Sequence, residues 1–182
     1  MDLFFASDLH GSLSVTEQII DRYRKSGATR LILLGDLLNH GPRNSIPEGY
    51  EPAKVAELLN LYKNEIIAIR GNCDSEVDQM LLDFPILNDA HSLLLANGTR
   101  LFLTHGHINN PDKQPPLMNG DGLVYGHTHI PVAEWREGKV IFNPGSPTFP
   151  KGGYPASYGI LKDNELHVVA LSGEVVKSVS LY

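Results

Sequence analysis

Cysteine is almost absent. Cys73 stands alone among 182 residues, so no disulfide can form within the chain and nothing points to an oxidising compartment. Long apolar runs are missing too: no stretch approaches the roughly 18 consecutive apolar residues of a membrane-spanning helix. The start, Met1 to Asp8, has no positively charged stretch and only a short apolar run, Leu3 to Ala6, which does not read as a secretory leader. A soluble, cytoplasmic protein is the expectation. Basic residues are outnumbered, 15 against 21 acidic ones, for a formal net charge of -6. That balance offers no general attraction to nucleic acid or an anionic membrane, and no basic or aromatic stripe compensates, so neither is an expected partner. A polyanionic ligand would need a local basic or metallic site.

What is present suits a globular chain. At 42% hydrophobic and 20% charged residues it is too apolar for disorder. Its length fits one domain over residues 1–182, large enough to bury roughly 70% of the surface of the unfolded chain. The first half alternates strand and helix signals. Leu3 to Ala6, Leu31 to Leu34 and Ile66 to Ile69 are continuous apolar runs, as expected of strands buried on both faces. Between them, Val15, Ile19, Ile20 and Tyr23, then Val55, Leu58, Leu59 and Tyr62, recur at helical spacing. Ser12 or Ser14 can cap the first helix and Gly27 can end it. The second half reads as strands: Leu93 to Leu95, Arg100 to Thr104, Leu123 to Tyr125, Val140 to Phe142, Ser157 to Leu161, Leu166 to Leu171 and Val175 to Leu181. Asn97-Gly98, Glu137-Gly138 and Asp163-Asn164 are hairpin turn signals. The reading is an α/β domain with βα units first and hairpins later.

Five apolar runs end alike, in a small residue followed by metal-binding side chains. The ends are Asp8-Leu9-His10-Gly11, Gly35-Asp36, Gly71-Asn72-Cys73-Asp74, His105-Gly106-His107 and Gly126-His127-Thr128-His129. They hold five of the eight histidines; His91 and His167 are left to structural or surface roles. Alone, each pattern has a bland explanation, since Gly-Asp and Gly-Asn are ordinary turns. Together they are too many for accident. In open α/β sheets functional residues gather beyond the carboxyl ends of strands, where five such ends can converge.

In this order the five patterns form the signature of calcineurin-like metallophosphoesterases, which the chain resembles from Asp8 to His129. Its length and compact loops are most similar to the small prokaryotic phosphodiesterases of the YfcE type, which share their fold with Vps29. The resemblance implies a β-sandwich of two mixed sheets flanked by helices, a four-layer αββα arrangement. It also implies two divalent ions, one held by Asp8, His10 and His129, the other by Asn72, His105 and His127, with Asp36 bridging them. Carboxylate and amide oxygens mixed with imidazole suit Mn²⁺, Fe²⁺ or Zn²⁺, and the resemblance favours manganese. Two such ions share a hydroxide that is nucleophilic at neutral pH and attacks phosphorus in line with the leaving oxygen. Their charge supplies the local positive field that the whole chain lacks.

Further residues have expected roles. Asp74 orients a neighbouring group, and His107 stands at the mouth of the site. His40 and Arg43 line the substrate side, where Arg43 can fork onto a phosphoryl oxygen. Loops 39–52 and 106–121 shape the pocket. One departure stands out: where many relatives carry a histidine that touches the phosphoryl group, this chain has Cys73. A thiol is a weak donor and carries no positive charge, so it stabilises a dianionic monoester poorly. The expected substrate is therefore a small phosphodiester; a phosphomonoester is the alternative. A non-catalytic interaction module of the Vps29 kind is a further alternative, but it predicts broken ligands, and every expected position carries a competent residue. Tyr154, Tyr158 and Tyr182 either form a homo-oligomer interface or complete the core.

Overall fold

Strand β1 (Leu3–Ala6), helix α1 (Leu13–Ser26), strand β2 (Arg30–Leu33), helix α2 (Pro52–Asn60) and strand β3 (Ile66–Ala68) follow the alternation expected, in a computed structural model that describes residues 2–182. Helix α1 ends where Gly27 enters the left-handed region at φ 75°, with Arg24 and Lys25 in the last turn against its negative end. Proline opens α2, where a missing N–H costs nothing. A third helix, α3 (Glu76–Leu81), is one the apolar spacing did not announce. It is short, and a Ser75/Asp78 capping box starts it.

The remaining strands are β4 (Ala90–Leu94), β5 (Arg100–Thr104), β6 (Gly122–Val124), β7 (Val132–Arg136), β8 (Lys139–Asn143), β9 (Ser157–Lys162), β10 (Glu165–Ala170) and β11 (Val175–Ser180). The sequence signal missed β7 and the first half of β4. Both are edge strands with exposed polar residues, so neither carries a continuous apolar run. Among the described residues the strands form two mixed sheets, in the orders β11-β10-β9-β1-β2-β3 and β4-β5-β6-β8-β7. The predicted turns do join hairpins β4–β5, β7–β8 and β9–β10. The second half is not all hairpins, however: β5, β6 and β8 run parallel. The long 105–121 connection permits this, because parallel neighbours need a crossover rather than a tight turn.

Alternation along β1 divides the core. Phe4 and Ala6 face α1 and α2, while Leu3 and Phe5 meet Leu101, Leu103, Val140 and Phe142 of the second sheet. The Phe5 and Phe142 rings meet edge-on between the sheets, with centroids 5.8 Å apart. Helices α1 and α2 cover the outer face of the first sheet and α3 packs on α2. On the outer face of the second sheet, Leu117 from the 105–121 loop packs over Leu123, Tyr125 and Ile141. Of the three tyrosines, Tyr158 completes the core, stacked 4.7 Å from Phe4. Tyr154 lies beneath the Lys177 ammonium, and Tyr182 is exposed. No helix among the described residues is long and apolar enough to cross a membrane.

Candidate metal centre

Because β1, β2 and β3 run parallel in one sheet and β5 and β6 in the other, their carboxyl ends carry all five predicted clusters. The backbone then binds the clusters to one another. Asp8 N–H donates to Gly35 O at 3.0 Å, His10 N–H to Asp36 O at 2.9 Å, and Gly126 N–H to His105 O at 2.8 Å. Asp8, His10, Asp36, His127 and His129 all adopt positive φ, between 50° and 64°. The other non-glycine residues with positive φ, Glu137, Asp163 and Asn164, sit in hairpin turns that require it. Five strained residues at one site need the surrounding structure to hold them. Gly71 and Gly126 allow the necessary close approach: a Cβ at Gly71 would overlap Asp36, and one at Gly126 would overlap the Ser7 hydroxyl.

Asp8 and Asp36 each have one carboxylate oxygen tied down and the other facing inwards. Asp8 Oδ2 accepts from Ser7 Oγ–H at 2.6 Å and from His127 N–H at 2.9 Å. Its Oδ1 faces His129 Nε2 at 3.1 Å and His10 Nε2 at 3.6 Å. Asp36 Oδ1 accepts from Cys73 N–H at 2.8 Å, leaving Oδ2 to face His105 Nε2 at 3.5 Å and His10 Nε2 at 3.8 Å.

The imidazoles are fixed in a matching way. Nδ1–H of His10 donates to Asn39 O at 2.9 Å, that of His105 to Leu34 O at 2.6 Å, and that of His129 to Phe149 O at 2.8 Å. A carbonyl only accepts, so Nδ1 carries the proton and the neutral ring presents its Nε2 lone pair to the centre. The Nε2 atoms of His10 and His129 lie 3.4 Å apart, and Asn72 Oδ1 lies 3.1 Å from His105 Nε2. Lone pairs and carboxylate oxygens aimed at one another repel unless positive charge stands among them. Three groups, Asp8 with His10 and His129, Asp8 with Asp36 and His105, and His10 with Asp36 and Cys73, bring their ligand atoms within 4.8 Å of each other. The donor set fits divalent cations.

Electrostatics agree. Burial opposes ionisation of Asp8, but His105, His10 and His129 outweigh it and hold its carboxyl well below the usual range. Burial likewise opposes protonation of His105, yet Asp8 and Asp36 raise its pKa to about 9. The centre draws positive charge, as protons when nothing else supplies it.

Residues 1–165 match the model of the calcineurin-like phosphoesterase superfamily domain. The chain belongs to the calcineurin-like phosphoesterase superfamily. It is 57% identical to the phosphodiesterase YfcE of Escherichia coli K12, over 97% of this chain and 95% of that one. The solved structure of YfcE, a phosphoesterase from E. coli, covers 100% of both chains with a TM-score of 0.98 and 55% identity. Zinc-complexed Vps29 from Entamoeba histolytica shares the fold, with a TM-score of 0.63 at 20% identity over 100% of both chains.

Around this phosphoesterase centre opens a cavity of about 610 Å³, lined on one side by Asn39, Gly41, Pro42, Arg43 and Asn44, and floored by Asp36, Asn72 and Cys73. Arg43 therefore faces the cavity. His40 does not: its ring packs edge-on against Tyr50, with centroids 5.4 Å apart, and its Nδ1 is buried without a partner. His107 is exposed and stands edge-on to His105 at 5.3 Å, at the rim of a neighbouring cavity shared with His127 and Thr128. Asp74 is buried and accepts three backbone N–H groups, from Asp36 at 2.8 Å, Leu37 at 2.9 Å and Gly71 at 2.7 Å. Cys73 is half-buried, and burial together with the Asp36 charge pushes its thiol up to about 12.

A sixth strand end escaped the sequence reading. After β8, Asn143-Pro144-Gly145-Ser146 begins a loop that returns to the centre. Ser146 Oγ–H donates to Asp8 O at 3.0 Å, Thr148 Oγ1–H to Leu9 O at 2.9 Å, and Lys151 reaches the cavity wall. It carries no histidine or acid, so ligand chemistry could not flag it; its run of turn residues after a strand was the available signal.

Proposed function

We propose that the chain is a metal-dependent phosphodiesterase, a single metallophosphoesterase domain over residues 1–182, using two divalent manganese ions. The observation that carries this reading is the tautomer-fixed set of three imidazoles aimed, with two half-tied carboxylates, at one point. Asp8, His10 and His129 would hold one ion; Asn72, His105 and His127 the other; Asp36 would touch both. Bound there, two divalent ions supply Lewis acidity to the phosphoryl oxygens and a water acidified enough to attack phosphorus near neutral pH. The protein's part is positioning. Asp74 grips the backbone of Asp36, Leu37 and Gly71, and Ser7 with the His127 amide fixes which oxygen Asp8 offers. His107, edge-on to His105, would stand at the mouth of the site.

Preference for diesters rests on Cys73. It lines the cavity floor and remains a thiol, so it adds no positive charge where a monoester would bring a second negative one. The test is a metal-replete screen of purified protein on matched diesters and monoesters. Diester hydrolysis should need added Mn²⁺, stop with a chelator and vanish in Asp36→Ala; hydrolysis indifferent to chelation would refute the metal mechanism. Cys73→His should raise monoester turnover relative to diester turnover, and an unchanged ratio would remove Cys73 from specificity.

A further inference from the structure

Two cations line the main cavity, Arg43 from the loop after β2 and Lys151 from the loop after β8. Among the described residues neither forms an ion pair; the paired cations, Lys25, Lys54, Lys63, Arg70, Arg100 and Arg136, lie outside this cavity. In a chain with 21 acidic residues, the absence of any acid on the outer walls is a feature of this cavity. The one carboxylate lining it is Asp36, whose side chain is 3% exposed and turned towards the centre. Among the described residues the rest of the lining is the imidazoles of His10, His127 and His129, the Cys73 thiol, the amides of Asn39, Asn44 and Asn72, the Thr128 hydroxyl, Gly41 and Pro42, with no phenyl, phenol or indole ring. Such a surface provides no greasy wall for an acyl chain. The Lys151 backbone is anchored beside the centre itself, where its amide N–H donates to the carbonyl of His129 at 3.2 Å.

We infer that the phosphodiester this enzyme takes carries a second anionic group, a carboxylate or another phosphate, on the arm lying in this cavity, where Arg43 and Lys151 bind it. The inference rests on the phosphodiesterase reading. The scissile phosphate is met by the metal-binding centre, which leaves the wall cations for charge elsewhere on the substrate. Arg43 offers a planar fork that matches either oxyanion, and Lys151 a mobile point charge.

The test compares para-nitrophenyl propyl phosphate with para-nitrophenyl carboxyethyl phosphate, which share a leaving group and differ in the second charge. With Mn²⁺, the wild type should prefer the carboxylate ester in kcat/KM by about tenfold, through KM, and the preference should shrink with added salt. Lys151→Ala and Arg43→Ala should each lower that preference about fivefold, the upper range for a solvent-exposed ion pair, and Lys151→Arg should keep it. No preference in the wild type, or both esters slowed by one common factor in the variants, overturns the inference while leaving the phosphodiesterase reading intact. If the wild type cleaves neither ester, that reading fails separately. The inference is then decided by calorimetric binding of the matching methylene-phosphonates, where wild type must favour the carboxylate form and Lys151→Ala must not.

Discussion

Asp74 offers a quantitative test of how the centre is held. Its Oδ2 accepts from Asp36 and Gly71, and its Oδ1 from Leu37. Replacing it with asparagine leaves one acceptor oxygen, which in the better orientation keeps two of these bonds. The amide nitrogen then confronts the Leu37 N–H, a donor against a donor. A buried donor left unmet costs about 1–3 kcal/mol. Part of this is offset, because burial and the Asp36 charge already hold the Asp74 carboxyl up to about 6, a sign that its charge is poorly tolerated. Asp74→Asn should therefore lose about 2 kcal/mol, and Asp74→Ala, with all three donors unmet, roughly 4 kcal/mol or more. Freed from this grip, the strained backbone of Asp36 should drift, and Mn²⁺ affinity should fall about 10- to 100-fold in the asparagine variant. Urea unfolding of chelator-treated protein gives the stabilities, and calorimetric titration gives the affinities. If alanine proves no more damaging than asparagine, the hydrogen-bond reasoning is wrong, since only the amide retains an acceptor.

Gly126→Ala should cost about 1–3 kcal/mol in urea unfolding and weaken metal binding, because the new Cβ overlaps the buried Ser7 hydroxyl that holds Asp8; an unchanged midpoint would contradict this. In metal-free protein, His105 has its pKa raised from 6.5 to about 9 despite burial, by Asp8 and Asp36. The folded state thus binds this proton more tightly than the unfolded chain, a stabilisation complete below pH 6.5 and lost as pH rises through about 9, worth roughly 3 kcal/mol in all. Melting temperatures of chelated protein should fall across that window and those of Mn²⁺-loaded protein should not; a flat chelated profile would show that the carboxylates do not draw this proton.

The sequence alone determined the elements whose environment is uniform. Leu3 to Ala6 and Leu31 to Leu33 are legible as strands because one face of their sheet meets helices and the other meets a second sheet, so every position is apolar. Strand β7 hid because its outer half, Glu134 to Arg136, faces solvent at an edge. The ligand types, their order and their place at strand ends were also readable, since metal chemistry restricts which side chains serve. Only the tertiary structure decided which oxygen of Asp8 faces inwards, which nitrogen of each imidazole bears its proton, that His40 turns to Tyr50, and that Lys151 joins Arg43 at the cavity. The physical reason lies in the range of the contacts. The partners that orient Asp8 include the His127 N–H, 119 residues away, and the Ser146 hydroxyl, 138 residues away. The left-handed backbone at Asp8, His10, Asp36, His127 and His129 has no local cause that a sequence pattern could display. It persists because distant donors and neighbouring strand ends leave those residues no other conformation.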